Sequence, residues 1–183
     1  FLYNLRQGIN DIKSGKYKVA IVGASEAPLT PEVIEGYRKM GALAEDEALA
    51  KIDKIETKNV NHRLACRPFG ENCGFTLSEG SQFIILFDDE LALELGAEIY
   101  GSVADVFVNA DGFKKSIPGP GVGNYLTVGK AMGLIRSILG AESLRNRSYM
   151  QAHGTSTPQH RVTESHIFNE LAKAFAIKEW PIT

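Results

Sequence analysis

Apolar residues Phe1, Leu2, Leu5, Ile9 and Ile12 recur at the spacing of one helical face, and Gly15 follows as a stop signal. The opening segment is therefore predicted to be an amphipathic helix. Tyr17 to Val22 is a short continuous apolar run rich in β-branched residues, the pattern of a strand buried on both faces of a parallel sheet. Gly23 to Glu26 ends it. Thr30-Pro31-Glu32 combines an N-cap with a proline in the first turn, so Val33, Ile34 and Tyr37 are read as a short helix running toward Met40. The alanine-rich, acidic stretch from Ala42 to Ile55 is expected to be helical and on the surface. From Glu56 to Gly80 the periodicity dissolves into a polar region with Pro68 and several glycines, read as a long functional loop.

Periodicity returns with Ser81 to Phe87, the second clear strand, followed by a short helix over DELALELG that Gly96 should terminate. Ile99 to Asn109 alternates well enough to predict a long strand bulged near Ala104-Asp105. Asp111 to Gly123 is punctuated by glycine and proline and reads as a loop. Asn124 to Leu139 places Leu126, Ala131, Leu134, Ile135 and Ile138 on one helical face. Ser148 to Ala152 is the next predicted strand, and Val162 to Phe175 the next helix, with Ile167, Leu171 and Ala174 inward. Strands alternating with helices argue for an α/β layered sheet.

Composition narrows the choice of function. The chain has 183 residues, 44% of them hydrophobic and 23% charged, with a formal net charge of -2. That mixture suits a soluble globular unit and excludes the basic stripe of a nucleic-acid surface or a polybasic membrane patch. Small or acyl-type substrates and protein partners remain open. The apolar run Phe83 to Phe87 is far too short to span a bilayer, and the N-terminus lacks the sections of a signal peptide, so a cytoplasmic location is expected. Cys66 and Cys73 are read as free thiols, and no spacing of ligands indicates a metal. The chain starts inside a helical pattern without an initiator methionine, and is expected to be a piece of a larger protein.

The chemistry concentrates in RSYMQAHGTSTPQHRVTES, Arg147 to Ser165. His153 falls where an apolar strand ends, the usual place for ligands in an open α/β sheet, and Gly154 lets a backbone approach closely. Thr155, Ser156 and Thr157 offer hydroxyls around one spot. His160 and His166 are expected in surface or packing roles, and His62 as a solvated loop residue. The chain order Ser25, Asp88, His153 mimics a hydrolase triad. The elbow that such a serine needs is spoiled by an alanine in place of the second glycine and by Pro28 and Pro31 in what should be the following helix, so Ser25 is read as part of an ordinary turn.

Taken with Arg67-Pro68-Phe69, the run from Gly74 to Gly80, the segment from Ser81 to Val103 and Glu164, the AHGTSTP motif resembles the β-ketoacyl-acyl carrier protein synthases, ketosynthases of the thiolase superfamily. The resemblance covers about Leu2 to Phe175. It implies a thiolase-like layered α-β-α-β-α fold, here partial: residues 1–90 the end of the N-terminal half and 91–183 most of the C-terminal half. It also implies decarboxylative condensation of malonyl-acyl carrier protein with an acyl thioester in fatty-acid biosynthesis, in a homodimer. No bound cofactor is implied; the phosphopantetheine arm arrives on the carrier protein. His153 matches a catalytic histidine, Thr155 and Thr157 the threonines that bind that arm, and Glu164 a glutamate supporting an active-site lysine. The family's nucleophilic cysteine would precede Phe1, and its second histidine and lysine would follow Thr183, so the segment alone is expected to be inactive. His160-Arg161 replaces the family's usual Gly-Asp pair, and the polar stretch Ala42 to Arg63 is longer than usual. The alternative is a non-catalytic homologue, a chain-length-factor-like partner subunit.

Overall fold

In the computed structural model, residues 1–112 and 122–183 are described. Cα packing divides them into two compact units, 1–26 with 80–138 and 27–79 with 139–183. This partition by packing is a different division from the expected thiolase-like halves, 1–90 and 91–183, and does not test them. The loop expected over Asp111 to Gly123 lies largely outside the described residues.

In the first unit the opening helix, α1, spans Leu2–Lys13 and buries Leu5, Gly8 and Ile9. Phe1 and Leu2, expected on the same face, are about half exposed. The two strands predicted first form one sheet: β1, Val19–Glu26, pairs with β2, Gly80–Phe87. They run antiparallel, in register from Val19 opposite Phe87 to Glu26 opposite Gly80. The parallel arrangement expected from the apolar run is thereby corrected. Continuous hydrophobicity reports that both faces of a strand are apolar and carries no information about the direction of its neighbour. Ala20, Val22 and Leu86 form the inner face against Leu5 and Ile9, joined by Val106. A Cβ at position 8 would come within 2.9 Å of Val22 Cγ2, so glycine there sets how closely α1 approaches the sheet.

Asp88 caps the next helix, α4 (Asp89–Glu94), by accepting the Leu91 N–H, and its carboxylate also holds Lys18 Nζ at 2.8 Å. Gly96, at φ +60°, ends this helix as expected. The long strand predicted over Ile99 to Asn109 does not form. A strand exists only when its backbone groups find a ladder partner, and these residues are held instead by single contacts, including Lys13 Nζ to the Ala104 carbonyl. Helix α5, Val122–Asn146, begins near its predicted start but extends past Leu139, interrupted by non-helical Gly140.

The second unit contains α2 (Pro31–Lys39), with Thr30 as its N-cap and Pro31 in its first turn as predicted. Helix α3, Asp46–Asp53, fills part of the Ala42 to Ile55 stretch. It is not wholly a surface element, since Leu49 is 1% exposed. Gly74 lies flush on the backbone of Ala42 and Leu43, where no Cβ would fit, and Phe75 pairs with this segment through Phe75 N–H to the Ala42 carbonyl and Ala44 N–H to its own carbonyl. The polar region beyond α3 makes only short 3-10 turns at Thr57–Asn59 and His62–Leu64.

Ser148 to Ala152, predicted as a buried strand, is neither continuous nor buried. It makes a parallel bridge between Met150 and Ile182, with hydrogen bonds from Met150 N–H to Pro181, Thr183 N–H to Met150 and Ala152 N–H to Thr183. One short partner segment satisfies one edge only. Helix α6, Pro158–Ala174, starts earlier than its apolar periodicity suggested, because Thr157 caps it and Pro158 fits the first turn.

Candidate functional site

The site is built within the second unit from the turn that precedes α6. Two residues of this turn lie in the left-handed region, Gly154 at φ +57° and Ser156 at φ +67°. For Gly154 the requirement is also spatial, since a Cβ would stand 3.2 Å from Pro68 Cβ. Ser156 meets the cost of its backbone through its hydroxyl. Fully buried, it accepts the Arg67 N–H at 2.8 Å and lies 3.4 Å from the Ala65 carbonyl, to which it donates. The turn is thus tied to the Arg67-Pro68 loop.

Glu164, 9% exposed, sits about two turns along α6 from its Thr157 cap and reaches back to the same turn. Its two carboxylate oxygens accept the backbone N–H groups of His153 and Gly154 at 2.8 and 2.9 Å. A carboxylate held by paired amides is a charge-assisted clamp, stronger than two neutral hydrogen bonds. The clamp fixes the backbone on which His153 stands, and leaves the imidazole exposed.

In the same turn the chain gathers more polar atoms than the sequence suggested. Thr155 Oγ1 and Thr157 Oγ1 are 3.0 Å apart. His160 Nδ1 lies 2.6 Å from Thr155 Oγ1, and the His160 ring meets that of His153 edge to face at 5.3 Å between centroids. His160, expected in a surface or packing role, therefore belongs to the site. The visible signal was the departure from the Gly-Asp pair at this position. Its partner Arg161 donates from Nη1 to the Gly70 carbonyl at 2.6 Å.

Arg67 anchors the facing loop. Its guanidinium grips Asp53 through Nη1 and Nη2 at 2.6 and 2.7 Å, and its Nε donates to the Leu64 carbonyl. Hydrogen bonding from Arg67 holds the Asp53 carboxyl below the usual range. Asn72 Nδ2 donates to the Arg67 and Pro68 carbonyls. Spacing alone could not have linked Asp53, in α3, to this loop.

The remaining candidates stand elsewhere. Ser25 lies inside β1, opposite Ser81, and no strand-to-helix elbow surrounds it; Asp88 is engaged as cap and ion-pair partner. Cys66 and Cys73 are free thiols, and burial pushes the Cys73 thiol up, away from thiolate character. His62 bonds Asp46 at 2.9 Å on an exposed surface. Among the described residues no group of three or more His, Cys, Asp or Glu could hold a metal ion, and no helix is long and apolar enough to cross a membrane.

Comparison with known proteins defines the class. A thiolase-like α/β fold, present here in part, is shared with solved ketosynthases. The chain superposes on the crystal structure of the ketosynthase FabY from Pseudomonas aeruginosa with a TM-score of 0.95 and 58% identity, over 100% of this chain and 28% of that one. A type II PKS ketosynthase solved with its acyl-carrier protein matches at TM-score 0.73 and 28% identity, over 99% of this chain and 41% of that one. Among curated sequences, the β-ketoacyl-[acyl-carrier-protein] synthase FabY of Pseudomonas aeruginosa is 58% identical over 100% of this chain and 28% of its own length. The 3-oxoacyl-[acyl-carrier-protein] synthase 2 of Synechocystis is 33% identical over 87% of this chain and 35% of its own. The model of the β-ketoacyl synthase N-terminal domain matches residues 2–92. The chain belongs to the β-ketoacyl synthase family. It spans about a third of the length of these curated relatives.

Proposed function

We propose that this chain is part of a β-ketoacyl-acyl carrier protein synthase that extends acyl chains in fatty-acid biosynthesis. The observation that supports this best is the Glu164 clamp, which fixes the backbone of exposed His153 in the turn that also carries the paired hydroxyls of Thr155 and Thr157. On this reading an acyl group is carried as a thioester on a cysteine outside these residues. Malonyl-carrier protein loses carbon dioxide, and the resulting enolate carbon attacks the acyl carbonyl, expelling the cysteine thiolate. His153 donates a hydrogen bond to the oxygen on which negative charge develops. A donor fixed before the charge appears needs no reorganisation, which is the reason for clamping its backbone. Thr155 and Thr157 bind the amide-bearing phosphopantetheine arm, which belongs to the carrier-protein substrate. Glu164 positions His153, and in the family's terms would also support a lysine supplied from elsewhere.

The same reading makes residues 1–90 the end of the first thiolase-like half and 91–183 most of the second, in a cytoplasmic homodimer. The deciding experiment uses the full-length protein containing this segment, with malonyl-carrier protein and an acyl primer, and follows carbon dioxide release and β-ketoacyl product. Replacing His153 by alanine should lower kcat/KM by about 10²-fold or more. Unaltered condensation in the His153→Ala variant would remove His153 from the mechanism, and a wild-type protein that supports condensation only when mixed with an active partner would favour the non-catalytic homologue.

A further inference from the structure

The two threonine hydroxyls do not stand alone: a histidine nitrogen closes on one of them. Thr155 Oγ1 lies 3.0 Å from Thr157 Oγ1 and 2.6 Å from His160 Nδ1. The backbone contributes two donors at longer range, Thr157 N–H to Thr155 Oγ1 and His160 N–H to Thr157 Oγ1, each at 3.4 Å.

Each hydroxyl has one proton to give and two lone pairs to receive with. If Nδ1 is bare, Thr155 donates to it. The one proton between the hydroxyls must then come from Thr157, so both protons are spent inside the cluster and only a lone pair faces outward. If Nδ1 carries hydrogen, it donates to Thr155, and a threonine proton is released to point at a ligand. The state of a single ring nitrogen thus decides whether the pair can donate or only accept.

We infer that His160 is a positioning residue that sets the hydrogen-bond polarity of the Thr155–Thr157 pair, and through it the recognition of the amide groups on the phosphopantetheine arm. The inference rests on the function proposed above. His160 does not touch the reacting carbon. It acts through Thr155, while its ring also buttresses that of His153.

Three substitutions in the full-length enzyme separate the nitrogen from the ring. In His160→Phe the ring stays against His153 and Nδ1 is lost; His160→Asn keeps a polar atom at the δ position, and His160→Gln moves it out of reach. With malonyl-carrier protein as substrate, His160→Phe and His160→Gln leave the two hydroxyls free to rotate, and each should raise KM about five-fold, the scale of one hydrogen bond no longer pre-oriented. The kcat of His160→Phe, which keeps a ring against His153, should stay within about two-fold, and His160→Asn should recover most of the KM effect. A malonyl thioester of ethanethiol, which has no amide, should show no rise. The proposal is overturned if His160→Phe has the wild-type KM, if His160→Asn is as impaired as His160→Phe, or if the amide-free thioester is affected equally. Should His160→Phe fail to fold, His160→Gln against His160→Asn still decides. Failure of the wild-type enzyme to condense anything is a separate result, which sinks the function reading itself.

Discussion

In the sheet of the first unit, the inner face packs Ala20, Val22 and Leu86 on α1, while the outer face leaves Ile21 70%, Phe83 62% and Ile85 58% exposed. Register makes that outer face one surface, because Ile21 stands opposite Ile85 and Gly23 opposite Phe83. In the histidine turn of the second unit, by contrast, Glu164 accepts the His153 and Gly154 amides, Ser156 accepts the Arg67 N–H and Thr155 bonds Thr157, all within the segment. The turn is held by directed polar bonds between residues far apart in sequence. The sheet, paired by its own ladder, packs on α1 by nondirectional burial and leaves an exposed apolar side. The chemistry is therefore set up locally, whereas the frame that carries the sheet depends on what packs against it.

The contrast breaks first at Ile21. If the outer face is covered in the full-length protein, as the proposed layered fold requires, Ile21→Lys should destabilise it by about 4 kcal/mol, the cost of burying an unpaired charge in apolar surroundings. If that face stays open, a surface substitution costs within about 0.5 kcal/mol. Denaturant midpoints of the full-length variant and wild type distinguish the two, and a negligible shift would remove the sheet's claim to an outer layer.

Glu164→Leu tests the other side of the comparison. It fills the same buried space but leaves the His153 and Gly154 N–H groups without their acceptor, for a loss of about 3 kcal/mol. Because the clamp orients His153, condensation should fall along with stability. Glu164→Gln, with one acceptor oxygen in place of two, should lie between. A Glu164→Leu enzyme that is less stable but catalytically unimpaired would make the clamp purely structural.

These two regions also differed in how much of them could be read from sequence. Helix starts at Thr30 and Asp88 were legible because caps are local chemistry, whereas the helix capped by Thr157 was expected to begin only at Val162. β1 was read as buried on both faces, yet its outer face is exposed at Ile21, and the antiparallel pairing was not legible either, since it depends on a partner more than fifty residues away. Ile99 to Asn109 failed as a strand for the same reason: alternation describes faces, and a ladder needs a neighbour. At the site, the motif marked His153, Thr155, Thr157 and Glu164. What Glu164 holds, and that His160 closes on Thr155, came only from the fold, because a helix turn places residues together in a way that a reading by residue type overlooks. Asp53 on Arg67 is a longer-range case of the same kind.

That last pair gives the smallest expected effect and a defined pH dependence. Asp53 and Arg67 are 28% and 20% exposed, so water competes for the pair and its net contribution is modest. Hydrogen bonding from Arg67 lowers the Asp53 carboxyl in the folded protein relative to the unfolded chain. The folded state therefore binds fewer protons there, and the pair's contribution is fully present above the unfolded value of about 4. It fades as the pH falls below that value and is gone once the folded carboxyl is itself protonated. Asp53→Asn removes the titration but leaves the volume. Asp88 and Glu170, also lowered by partners of their own, titrate in both proteins and cancel in the difference. Urea midpoints at pH 7 should favour the wild type slightly, and the gap should narrow steadily from pH 4 downward. A gap as wide at pH 3 as at pH 7 would mean that the Asp53 carboxylate is not what ties α3 to the loop beside the histidine turn.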